Sequence, residues 1–269
     1  MNPYCSKKTS VIVGVIIFLM GSLAAKAEVF RFDNKSPNGN RWMDGQNWRI
    51  QSAGDEKGQL PGAGDTVRFN YGGAVGSLSV DAGTISKLQI GVDDRGGMLA
   101  LNPGAKLVVT DNENYIGRMG REEGGTLIVN GGNLNYKGWV SVANTGKGTF
   151  ILNDGEVRVE DVFYHNLRMG GGAASTEIRA GLLDVNSMKL NSGTVDISGG
   201  IIRIRAGCTE EELNNWILNG LLTVNNSRQA IRDRDYSIHF WGSKGMEIRV
   251  PAEVDGTLQS VEETLGFLF

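Results

Sequence analysis

The sequence predicts an all-β chain wound as a right-handed parallel β-helix (a β-solenoid) with a short capping helix near the C-terminus. Three observations predict it. Glycine supplies 39 of 269 residues, about twice its ordinary ~7% share and without a three-residue period. Helical bundles tolerate that poorly, because each interior Gly costs about 1 kcal/mol against Ala. The second observation is self-similarity: Gly125 to Tyr136, Gly148 to Val159 and Gly193 to Ile204 all read G-T-x-x-Φ-x-x-G-x-Φ-x-Φ, with Φ apolar. The third is a period of two inside each copy, as in Leu127/Val129 then Leu134/Tyr136, Phe150/Leu152 then Val157/Val159, and Val195/Ile197 then Ile202/Ile204. Period two sends one row inward and one outward. An antiparallel sandwich shares the strand spacing, but not the repeat.

The elements follow in chain order. Residues 1–27 carry the parts of a secretory signal. Lys7 and Lys8 are the positive start, Val11 to Met20 the apolar run, and Ala25-Lys26-Ala27 the small-x-small cleavage site. Ten apolar residues are too few to span a membrane, which needs ~20. Removing Lys7, Lys8 and Lys26 takes the formal charge from −3 to −6, which disfavours nucleic acid as a partner. It also leaves Cys208 as the one cysteine, so no internal disulfide can form, a pattern of bacterial export. No later segment is apolar enough to cross a membrane. Residues 28–74 form an N-terminal cap with Trp42 and Trp48 six apart. Residues 75–207 hold the repeats, in which Val75 to Val80 and Ile85 to Ile90 are the first strands.

The glycines expected at the turns are Gly104, Gly132, Gly155, Gly181 and Gly200, spaced 24 apart on average. A second half-motif falls between copies: Tyr115-Ile116-Gly117, Val140 to Ala143, Leu167 to Gly170 and Met188 to Asn191. One unit cannot hide its apolar row, and a stack can, so Leu127, Phe150 and Val195 are expected in a single interior column. Residues 208–269 form the C-terminal cap. Its helix runs from Thr209 to Gly220, with Thr209 and Glu212 as a capping box and Leu213, Trp216 and Ile217 as the apolar face.

The run W-x-D-x-x-N-W from Trp42 to Trp48, then P-G-A-G-D-T-V-x-F from Pro61 to Phe69, then the tandem G-T units, resembles secreted bacterial solenoid proteins with autotransporter-passenger-like repeats. The helix followed by Gly220-Leu221-Leu222-Thr223-Val224 is similar to a segment near the end of such repeat domains. The resemblance covers roughly Arg41 to Val224. It implies a solenoid at a cell surface and names no activity. A C-terminal translocator barrel and a sorting tag, both found among those relatives, have no counterpart in this sequence.

Chemistry-bearing residues are few. Asp161, Tyr164, His165 and Arg168 form the best catalytic cluster: Tyr or His to abstract a proton, Arg to neutralise a uronate carboxylate. A longer loop in a widened coil explains the same residues. With only His165 and His239 in the chain, a His-based metal site is not expected. Asp93-Asp94-Arg95 and Asn153-Asp154-Gly155 offer oxygens for calcium, short of a full loop. Tyr136, Trp139 and Tyr164, at or near corners, are candidate sugar contacts, while the cap tryptophans are expected as core. Arg228, Arg232 and Arg234 are flanked by Asp233 and Asp235 and read as a salt-bridged surface.

The expected function is a secreted, non-enzymatic structural or adhesion module. It would contact extracellular polysaccharide or other cell-surface components. The alternatives are a lyase or hydrolase acting on acidic polysaccharide, and a carbohydrate-binding module.

Overall fold

The computed structural model describes residues 27–52, 56–70, 73–93, 96–118, 124–168, 172–229, 232, 234–241 and 245–251. The export signal before Ala27, the Asp94-Arg95 half of one calcium candidate and the last eighteen residues lie outside them.

The chain winds through about six solenoid turns, and each turn lays three short strands end to end. On the first face Val29–Phe32 stacks on Thr66–Phe69. The stack continues through Lys87–Ile90, Asn114–Ile116, Val140–Val142 and residues 163–165 to residues 187–190, all parallel. The second face runs from Ala74–Leu78 to Leu222–Val224. The third runs from Asp81–Ile85 to Gly200–Ile204. All strands join one continuous sheet.

The interior column is as expected. Gly76, Leu99, Leu127, Phe150, Thr176, Val195 and Leu222 occupy successive rungs of the second face, and all the side chains among them are buried. Gly76 is glycine for lack of room: a Cβ there would lie 2.3 Å from the Phe69 ring. Rungs ~4.8 Å apart bring like positions into contact, so each apolar row is covered by its copies above and below.

Two corners are built differently. Where the first face turns toward the second, Gly91, Gly117, Ala143 and Asn166 share left-handed φ values of 64°, 85°, 60° and 63°. At Gly117 a Cβ would come within 1.9 Å of the Lys147 carbonyl oxygen. Between the second and third faces, Asn amides climb the rungs. Asn102 Nδ2 donates to Ser79, Asn130 Nδ2 to Asn102, Asn153 Nδ2 to Asn130, and the Arg179 guanidinium to Asn153 Oδ1.

Two expectations of register need correction. The first face takes Phe163-Tyr164-His165 rather than Leu167 to Gly170, because the strand Lys147–His165 runs on past the third face, through a register shift between Val159 and Val162, and supplies this rung itself. The left-handed glycine in the Gly125 to Tyr136 copy is Gly131 (φ 120°), not Gly132.

The ends are closed by different means. At the N-terminus Phe30, Phe32, Trp42, Trp48 and Phe69 form a buried aromatic plug with centroid separations of 4.9 to 6.4 Å. The sequence motifs there hold the backbone. Asn47, fully buried, accepts from the Ser36 amide and donates to the Gly39 and Arg41 carbonyls, and Trp48 Nε1 donates to the Trp42 carbonyl at 2.6 Å. Asp65 receives the amides of Glu28 and Gly62, both at 2.9 Å. At the other end the helix Glu210–Leu218 starts on the expected Thr209/Glu212 capping box and buries Leu213 and Trp216. The antiparallel hairpin Ser237–Trp241 and Gly245–Val250 then extends the third face.

Candidate functional site

On the first face the outward row reads Arg31, Arg68, Gln89, Tyr115, Ser141, Tyr164 and Lys189. Residue 141 is small, and the space above it is filled from the neighbouring corner by Trp139. The indole packs edge-on against Tyr115 at 5.4 Å and against Tyr164 at 5.9 Å, with interplanar angles of 82° and 89°. Each such pair is worth about 0.5–1.5 kcal/mol beyond burial, so the three rings are held as a unit. Trp139 and Tyr164 are partly exposed, whereas Tyr115 is 8% exposed with the Arg118 guanidinium 5.2 Å from its centroid. Burial raises the Tyr115 hydroxyl's pKa, with Arg118 and Arg168 pulling the other way. Lys189 lies 5.8 Å over the Tyr164 ring.

Trp139 also walls a shallow cleft of about 680 Å³ at the corner between the third and first faces, with Lys87, Asp111, Asn112, Glu113, Lys137 and Asp161. Asn112 Oδ1 accepts the Trp139 amide and fixes the corner. Lys87 pairs with Glu113 at 2.7 Å and Lys137 with Glu160 at 2.6 Å. Those lysines hold Glu113 and Glu160 below the usual carboxylate range. The cleft is therefore ionised and hydrogen-bonding, suited to hydroxyl-rich ligands. Neither glutamate is poised as a proton donor.

The residues expected to form a catalytic cluster do not converge. Tyr164 and His165 are consecutive on one strand, so they face opposite sides of the wall. His165 is fully buried, in the column of Val142 and Leu190. Its Nδ1 donates to the Ser192 carbonyl at 2.8 Å, Nε2 finds no partner among the described residues, and burial lowers its pKa to about 4. Such an imidazole has no access to an outside substrate. Arg168 is exposed beyond the strand end, and Asp161 lines the corner cleft.

The sugar-contact expectations divide. Trp139 and Tyr164 meet on the outer face. Tyr136 is corrected to a core residue: it is 1% exposed, in the interior column of Val109, Val159 and Val185. Sequence reasoning missed Tyr115, although aligning Asn114-Tyr115-Ile116 on Phe163-Tyr164-His165 places both tyrosines in one row.

The calcium candidates are engaged elsewhere. Asp93 pairs with Arg68 at 3.3 Å, Asn153 belongs to the amide ladder, and Asp154 accepts the Gly155 amide. Among the described residues no group of three or more His, Cys, Asp or Glu could hold a metal ion, and no helix is long and apolar enough to cross a membrane. The only described cysteine, Cys208, is buried, and its pKa is raised to about 12 by burial and Glu212.

No protein-family model matches the chain, and neither a curated protein nor a solved structure matches it.

Proposed function

We propose that the chain is an exported β-solenoid module that attaches non-covalently to polysaccharide along its first face. The observation that carries this reading is the Tyr115–Trp139–Tyr164 unit. It lies across three consecutive rungs and borders a polar cleft. Sugar rings expose C–H-rich faces that pack on aromatic carbon and hydroxyl rims that need polar partners, and protein ligand sites combine these two features. The three rings step along the stack by ~4.8 Å per rung, an elongated surface that suits an extended polymer better than a small molecule. The three-part N-terminal segment of the sequence supports export.

The test is affinity electrophoresis of the purified protein against a panel of soluble polysaccharides. Retardation by at least one polymer is expected. Trp139→Ala and Tyr164→Ala should each weaken binding about tenfold, the equivalent of about 1.4 kcal/mol. Retardation left intact in both variants would overturn the reading.

A further inference from the structure

Resting on that reading, we infer that the polymer recognised by the first face is a carboxylated polysaccharide with about one charge per sugar. The same face that carries the aromatic unit carries Arg31, Arg68, Arg118, Arg168 and Lys189 over its seven rungs. Of these, Arg31, Arg118, Arg168 and Lys189 have no ion pair among the described residues, and Arg68 has only Asp93. Several cations elsewhere on the surface are paired, as in Lys137–Glu160, Arg179–Glu177 and Arg232–Glu210; what sets the first face apart is that its cations gather around the aromatic unit.

The cations also act on one another. Burial is the main influence that disfavours the charged form of Arg68, Asp93 opposes it, and Arg31 and Arg118 add to the burial effect. Mutual repulsion along a row is relieved when an anion settles between its members. The density decides the kind of anion. Five cations over seven rungs, Arg31 and Arg68 on the rungs before the rings and Arg118, Arg168 and Lys189 around them, set carboxylate partners beside a stacking surface, and a guanidinium fits carboxylate bidentately. A heavily sulfated chain would ask for more charge and offer less stacking surface. Sugar rings two rungs apart along the face would meet Arg118 over Tyr115 and Lys189 over Tyr164.

A matched pair of probes tests this: polygalacturonate and the same polymer fully methyl-esterified, with dextran sulfate as a third arm, each titrated against the full chain at low and moderate salt. Binding to polygalacturonate is expected to be at least tenfold tighter than to the ester and to weaken as salt screens the contacts. Arg118→Gln and Lys189→Gln should each lose at least threefold on polygalacturonate while changing ester binding less than twofold. Lys106→Gln, on the third face, removes the same charge and should change neither. Equal binding to acid and ester overturns the charge assignment and leaves the sugar-binding reading standing. Tighter binding to dextran sulfate at equal charge concentration, insensitive to Tyr164→Ala, overturns the choice of a carboxylated polymer. Binding to none of the three, with retardation by another polymer of the panel, overturns the charge assignment alone, and retardation by no polymer at all overturns both readings.

Discussion

Tyr136 carries a hydroxyl into a core that gives it no partner. Its Oη is buried without a hydrogen bond among the described residues, and burial raises its pKa. Removing an unsatisfied buried hydroxyl while keeping the ring returns the desolvation cost, about 1–3 kcal/mol. Tyr136→Phe is therefore expected to raise unfolding stability by about 1 kcal/mol in urea and to leave polysaccharide binding unchanged. A destabilised variant would mean that the hydroxyl is satisfied by water. The residue also shows what the sequence contains. The alternation that pairs Leu134 with Tyr136 already places the ring inward, and a corner position was the wrong guide to its exposure. Tyr115 and Tyr164 sit at the other parity of their strands, which is why they point outward, Tyr164 partly exposed and Tyr115 covered. What alternation alone does not supply is the rung on which each residue lies.

At the scale of elements, the repeat, the apolar rows and the closing helix were legible because each has a local cause. Period-two alternation, glycine at the bends and a Thr-x-x-Glu box all act within a few residues. The first face was read less well. Its strands are three or four residues long, and their register is set by neighbours some two dozen residues away. A slip of four, from Phe163 to Leu167, cannot be detected without them. The helix allows a local contribution to be separated from a packed one. Thr209 Oγ1 accepts the Glu212 amide at 3.2 Å, and Glu212 returns the bond to the Thr209 amide at 3.3 Å, both exposed. Leu213 is fully buried against the last turn. Thr209→Ala is expected to cost about 1 kcal/mol, and Leu213→Ala about 2–5 kcal/mol, by urea denaturation. The reverse ranking would mean that the helix is held by its cap rather than by the core it covers.

A stack in which each turn touches only its neighbours spreads its stability along its length, so one buried titratable group in mid-stack can tilt the pH response of the whole molecule. His165 is such a group. Its Nδ1 proton is committed to the Ser192 carbonyl, so acid must add a proton at Nε2, which faces buried surroundings. Gly193, whose Cβ would fall 2.9 Å from the ring, leaves the room the ring needs. The folded pKa of about 4 lies below the ordinary imidazole value of 6.5. The unfolded chain therefore binds more protons across this window. Stability is greatest above pH ~6.5 and declines as pH falls toward 4, by an order of 3 kcal/mol in all. Glu113, Glu160 and Glu247 are held low by Lys87, Lys137 and the Arg249–Arg203 pair. Their contribution is present above the ordinary glutamate pKa and is lost only as pH falls below it, so acid acts on the fold in two successive windows. Val142 and Leu190 flank His165 in its column, which makes leucine the replacement that fits the row. Urea midpoints at pH 7 and pH 5 should differ clearly for the native chain and much less for His165→Leu, while both lose stability together below pH 4. An equal difference in the two proteins would place the first window on some other group.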